Sequence, residues 1–387
     1  MKYIYQNRRE ILKHLILSLF LLNLPGFLFV KLNPSVSSFA SIASYILLII
    51  YYISAKDKGR PNMWMFFLVI LYYSVSTLSG QEFTPEPYFY LIDIFKLLVV
   101  VICGQQLIMN TTLKELNYYL IIGALTVLAH IFLFFDPIKD SGRFYGFYLN
   151  PNSAGFICLI GYSFTFALKN KPRLINQIIF TAMGLLTFSR TFLLIWVLIN
   201  IISLKVSFKN IKFFVYGFII ISILISFSDL LPFQNVRLKQ LTDFFNGNQI
   251  NVSEVNEDSR SGTWSLYYSY IINKPFFGNG LNSFEGGLVS QQIGFPVGVH
   301  NSYLKVLGEA GLFVFIYFLM MNFKMVSQSI KLFRSKPYLF IALFSLLVFL
   351  LTNHEYFSIH YILLISMWIQ NQLIIYSINN RLLSNIY

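Results

Sequence analysis

Runs of about 20 predominantly apolar residues recur along nearly the whole sequence, and a helix of that length crosses the roughly 30 Å hydrocarbon core of a bilayer. Because no water reaches that core, backbone N–H and C=O groups must bond within the segment, so each run is expected to be a helix. A soluble fold fails on size. Of 387 residues, 56% are hydrophobic and 12% charged, with mean hydropathy +0.63, and one water-soluble core does not hide so many long apolar runs. The expected fold class is all-α, a single polytopic membrane domain over residues 1–387.

A window of about 19 residues gives twelve candidate spans, near 14–31, 38–54, 62–79, 88–109, 116–135, 151–168, 174–189, 190–204, 211–228, 301–323, 338–353 and 356–376. The seventh and eighth are short and adjoin at Ser189-Arg190, which implies a tight hairpin. The apolar run after Asn7-Arg8-Arg9 is broken late, at Pro25-Gly26, and no small-residue cleavage site follows. The first helix is therefore expected to stay rather than be removed as a signal peptide.

A formal charge of +13 raises the question of nucleic acid, and the placement of the basic residues answers it. With a cytoplasmic N-terminus, most of the 29 Lys and Arg fall on the inner side of the spans, among them Arg8, Arg9, Lys56, Lys58, Lys169 and Lys336. The positive-inside bias puts both termini in the cytoplasm and makes the bilayer, not nucleic acid, the partner. Cys103 and Cys158 lie within apolar runs and read as small core residues rather than a disulfide or metal ligands.

One connection is long, about 70 residues from 229 to 300, and it falls on the extracytoplasmic side. Loops of that length usually carry function. It contains an aromatic, helix-like stretch from Thr263 to Ile272 suited to lying in the membrane interface. The following NKPFFGNGLNSF reads as turns, since its Gly and Pro do not sustain a helix.

Ionisable groups in or near a bilayer are costly and need a partner or a task. Lys305 and Glu309 are four apart on the tenth span and read as a mutually neutralising pair on one helix face. Asp93 and Lys96, three apart, read as a buried pair. His300 precedes the tenth span on the outer side, where an imidazole with pKa near 6.5 is either an interfacial residue or a general base. Arg143, Arg190 and Arg260 share that side, against the positive-inside bias, and a guanidinium fork suits an anionic, phosphate-bearing ligand as well as a surface. Asn150-Pro151-Asn152 reads as a cap and a first helical turn, whose free N–H groups would point the same way. His354, Glu355 and His360 lack the one-turn histidine spacing of a zinc helix, so a metal is not expected there.

Four stretches together resemble the bacterial O-antigen ligase and O-antigen polymerase superfamily. They are RFYGFYLNPNSAG at 143–155, SRTF at 189–192, SRSGTWSLYYSYIINKPFFGNGLNSF at 259–284 and HNSYLKVLGEAG at 300–311. Their order and spacing carry the resemblance, with the long loop placed before the histidine. It implies a glycosyltransferase without cofactor or metal, whose donor and acceptor are oligosaccharide repeat units on polyprenyl diphosphate. Carried over by motif, His300 is the catalytic base, Arg190, Arg260 and Arg143 bind the diphosphate, and Asn152, Asn301, Tyr303 and Glu309 support them. A polymerase building O-antigen or capsule, with a chain-length regulator as protein partner, is the expected activity. A ligase that moves a finished glycan to a terminal acceptor is the alternative, and a flippase for lipid-linked oligosaccharide the second. The implied location is the bacterial cytoplasmic (inner) membrane, with the active site facing outward.

Overall fold

The computed structural model describes residues 2–80, 87–136, 142–226 and 260–384, and among the described residues there are helices and turns but no strand. The helices are α1 (Lys2–Leu21), α2 (Leu24–Lys31), α3 (Pro34–Ile53), α4 (Met63–Ser79), α5 (Pro87–Met109), α6 (Leu113–Leu133), α7 (Pro151–Phe164), α8 (Asn170–Leu186), α9 (Arg190–Leu204), α10 (Ile211–Ser226), α11 (Arg260–Asn273), α12 (Gly287–Ile293), α13 (Ser302–Lys331), α14 (Pro337–Leu350) and α15 (His360–Ser384). Five are long and apolar enough to cross a membrane: α3, α6, α13, and the apolar parts of α5 and α15. The bent pair α1–α2 makes a sixth if it counts as one span, while α4, α9 and α14 are apolar but shorter. Each of the twelve expected segments thus contains a helix, but length and composition qualify only five or six as spans.

The first span departs most from expectation. It is two helices at 53° to each other, because Asn23 adopts a left-handed backbone with φ 52° and Pro25 follows at the start of α2. Asn23 also donates its side-chain amide to the Phe147 carbonyl at 3.1 Å, which ties the break to the segment before α7. The Asp93–Lys96 pair forms at 3.4 Å, but both side chains are exposed rather than buried.

Orphan N–H groups at helix starts are costly near a membrane, and side chains satisfy several of them. Asn33, Asn62, Asn150, Ser189 and Asn301 each accept a backbone N–H of the helix they cap, and Thr112 with Glu115 forms a capping box. At the centre lies α7, with every residue from Ser153 to Phe164 buried, the pattern of a helix enclosed on all sides. It packs against α6, α8, α9 and α14, and α14 also packs against α13. By contrast α3 leaves Phe39, Ile42 and Ile46 exposed on its outer face, the side a membrane would cover.

Candidate functional site

His300 stands immediately before α13, exposed, with φ 48°. That region disfavours residues other than Gly, so the neighbours must impose it. Asn301 accepts N–H groups from Tyr303 and Leu304 at 2.9 and 3.2 Å and starts the helix. On the other flank, Val299 donates to the Phe284 carbonyl at 3.1 Å and Tyr267 of α11 donates to the Val297 carbonyl at 2.6 Å. His300 is held between a capped helix and a pinned loop. Tyr303 donates to the Leu347 carbonyl at 3.1 Å, which fastens the first turn of α13 to α14.

Lys305 and Glu309 do not pair with each other as the spacing suggests. Lys305 meets Glu285 at 2.5 Å, a residue of the turn after α11. The Glu309 carboxylate is fully buried, takes the Phe284 N–H at 3.1 Å and takes a further bond from the Tyr72 hydroxyl of α4. The i,i+4 spacing puts both residues on one face, but their partners come from segments distant in the chain. The same turn closes onto α13 through glycine. Gly311 has φ 76° and interrupts α13, so Leu312 N–H reaches the Pro275 carbonyl at 2.8 Å, and a Cβ at Gly308 would overlap the Phe284 ring. The PFFGNG stretch at 275–280 and the LGEAG stretch at 307–311 are thus two halves of one packing contact.

The connection from α14 to α15 completes this wall. Ser302 donates to the Asn353 carbonyl at 2.6 Å, and Asn353 accepts the Glu355 N–H at 2.7 Å. The rings of His300 and His354 lie 4.9 Å apart, edge to face. Burial, then the positive charges of Lys305 and His300, push the His354 pKa down to about 3. Burial raises the Glu355 carboxyl against the lowering effects of its Asn353 hydrogen bond and of Lys305. His360 is occupied elsewhere, bonded to the Tyr45 hydroxyl at 2.9 Å.

Two of the arginine motifs, those of Arg143 and Arg190, meet at the start of α7. Asn150 caps α7 as the sequence suggests, accepting the Asn152 N–H at 2.8 Å. The Asn152 side chain accepts from the Ser189 hydroxyl at 2.7 Å, and that hydroxyl accepts the Phe192 N–H at 3.2 Å. Arg190, exposed, is therefore the first residue of a helix tied to Asn152. Phe144, next to the half-buried Arg143, packs 6.4 Å from the Phe188 ring. Tyr148 and Tyr361 pack ring to ring at 5.1 Å, so the first turn of α15 abuts the segment between Arg143 and Asn152. Arg260 begins α11, which packs on α13; its side chain lies outside the described residues.

Three neighbours of the site escape sequence reasoning. Tyr72 and Glu285 carry no motif, and His354 offers only a metal pattern that it does not fit.

Residues 175–319 match the family model described as O-antigen ligase. This stretch is an O-antigen ligase family domain. The match, with the helices able to span a membrane, supports a membrane enzyme of the O-antigen ligase and polymerase type in polysaccharide assembly. The match takes in Arg190, Arg260, His300 and Glu309, while Arg143 and Asn152 precede it and join it through the Asn152–Ser189 bond. No curated protein matches the chain.

Proposed function

We propose that this O-antigen ligase family protein is a polymerase: it joins oligosaccharide repeat units carried on polyprenyl diphosphate into O-antigen or capsule, at the outer face of the cytoplasmic membrane. The observation that carries the reading is His300, exposed and fixed in a left-handed backbone at the head of α13, within the matched domain. As the base, neutral His300 takes the proton of the acceptor hydroxyl while the oxygen attacks the anomeric carbon and the lipid diphosphate leaves from the opposite face. One displacement inverts the centre and needs one base, unlike the paired carboxylates of glycoside hydrolases. The leaving diphosphate gains charge as the bond breaks, so fixed guanidiniums from Arg190, Arg260 and Arg143 stabilise the transition state more than the ground state.

The topology is part of the same proposal: twelve spans, both termini cytoplasmic, and the 229–300 loop outside. A chain-length regulator is the protein partner such a polymerase would have. The family description favours a second reading, a ligase that hands a finished glycan to a terminal acceptor.

The test uses purified protein in detergent with polyprenyl-diphosphate-linked repeat units and no nucleotide sugar. A glycan ladder that the His300→Ala variant loses by a factor of about 10² or more is the expected result. Absence of a ladder from folded protein, with transfer only when a terminal acceptor is added, would establish the ligase instead. No transfer under either condition removes the enzyme reading.

A further inference from the structure

We infer that His354 contacts the acceptor sugar beside His300, as a hydrogen-bonding group for one of its hydroxyls. The inference rests on the reading of His300 as the base. A ring whose centroid is 4.9 Å from that of His300, standing edge to face, borders whatever His300 touches. The backbone beside the ring is also held, and one face of the ring is covered. Asn353, its chain neighbour, is bonded to Ser302 at 2.6 Å and to the Glu355 N–H at 2.7 Å. A Cβ placed at Gly298 would come to 3.0 Å from the ring, so the peptide just ahead of His300 lies against it.

One atom of this held ring is unaccounted for. Nδ1 of His354 is buried and, among the described residues, has no hydrogen-bond partner. A buried polar atom left unmatched costs stability, and at a site its explanation is the ligand that completes it. The chemistry of that ligand follows from charge. The titratable groups around His354 are His300, Lys305 and the adjoining Glu355, with Glu285 bound to Lys305. Burial and the two cationic neighbours disfavour a second imidazolium there. A neutral imidazole nitrogen pairs with a hydroxyl, either as donor or as acceptor, and does not hold a diphosphate as a guanidinium does. His354 therefore stays uncharged when His300 takes the proton, and the two rings do not repel.

The deciding variant is His354→Phe, which keeps an aromatic ring against His300 and removes both nitrogens, with His354→Gln restoring hydrogen-bonding atoms. With a repeat-unit oligosaccharide on a short alkyl chain as acceptor, the Phe variant should raise the acceptor KM roughly tenfold, the loss of one buried hydrogen bond. The Gln variant should recover part of that loss, and the acid limb of the pH profile should not move. An unchanged KM would make His354 mere packing, and loss of the acid limb would make it the base; either overturns the inference. A second readout does not depend on turnover: histidine side-chain ¹⁵N signals of the wild-type protein, recorded as the free oligosaccharide is added. A neutral histidine signal that shifts on addition and is absent from the Phe or Gln variant supports the contact. Histidine signals that stay still at saturating sugar refute it. Polymer formation with still signals refutes this contact alone, whereas shifted signals without any polymer refute the polymerase and leave the contact standing.

Discussion

Lys13 and Lys305 are equally buried and each sits beside carboxylates, and what separates the two clusters is the burial of those carboxylates, Glu309 above all. Near the start of α6, Lys13 of α1 meets Glu10 and Glu115 at 2.6 Å each, with the Glu10 side chain 51% exposed. Glu115 serves at the same time in the Thr112 capping box, taking the Thr112 N–H at 2.7 Å. In the other cluster Lys305 meets Glu285 at 2.5 Å, and nearby Glu309 is sealed from solvent with the Phe284 N–H and the Tyr72 hydroxyl as its partners. The first cluster joins two helices and sits partly in water, where screening leaves an ion pair worth little. The second joins α4, the turn after α11 and α13; Glu285 reaches solvent, but Lys305 and Glu309 have no water to fall back on, so taking away a partner of either exposes the full cost of burying it. Similar residues glue a scaffold in one place and fix the position of a candidate base in the other.

Removing one member from each cluster should separate them most widely. Glu309→Ala is expected to lower stability by about 3–5 kcal/mol, the usual cost of breaking a buried charged network, whereas Lys13→Ala should cost about 1 kcal/mol or less. Denaturation in detergent measures both, and equal losses would erase the distinction. A smaller effect tests charge against geometry. Arg190→Lys should cut glycan transfer by about 10- to 100-fold because the planar fork is lost while the charge stays; Lys13→Arg, at the scaffold end, should leave the rate alone. Wild-type rates for the Arg190 variant would remove that residue from the site.

A more gradual effect, small at any one pH step, is a pH dependence that His354 adds at the site end. His354 has a folded pKa near 3, below its unfolded value near 6.5. Below 6.5 the unfolded chain binds the extra proton, so this contribution is fully present above about 6.5 and is lost as the pH falls toward 3. The slope is at most about 1.4 kcal/mol per pH unit. Melting profiles should show that slope in the wild type and lose it in His354→Phe; an unchanged slope would place its source elsewhere.

How much of this could be read from the sequence varied with how local the cause was. Helices were legible because apolar runs and caps act within one turn, as the Asn150 cap of α7 shows. The break at Asn23 was only half legible: Pro25 and Gly26 mark a weak point, but the bend angle is set by packing, including the Asn23 bond to Phe147 across 124 positions. In the site, spacing correctly put Lys305 and Glu309 on one face and then named the wrong partner for each. Tyr72 lies 237 positions from Glu309 and Glu285 lies 20 from Lys305, distances over which a periodic pattern carries no information. The nearness of His354 to His300 was hidden for the same reason.

The sealed carboxylate on α13 also bears on how the protein is made. A charged side chain within a helix opposes its release into lipid by about 2.5–3.5 kcal/mol at mid-membrane, and α13 carries two in its first turns, Lys305 and Glu309. Tyr72, Phe284 and Glu285, the groups that satisfy them, all come earlier in the chain. When α13 leaves the ribosome its partners have already been synthesised, so the order of synthesis supplies a docking place before the awkward helix arrives. A chain in which α4 followed α13 would leave Glu309 without its Tyr72 partner while it waited.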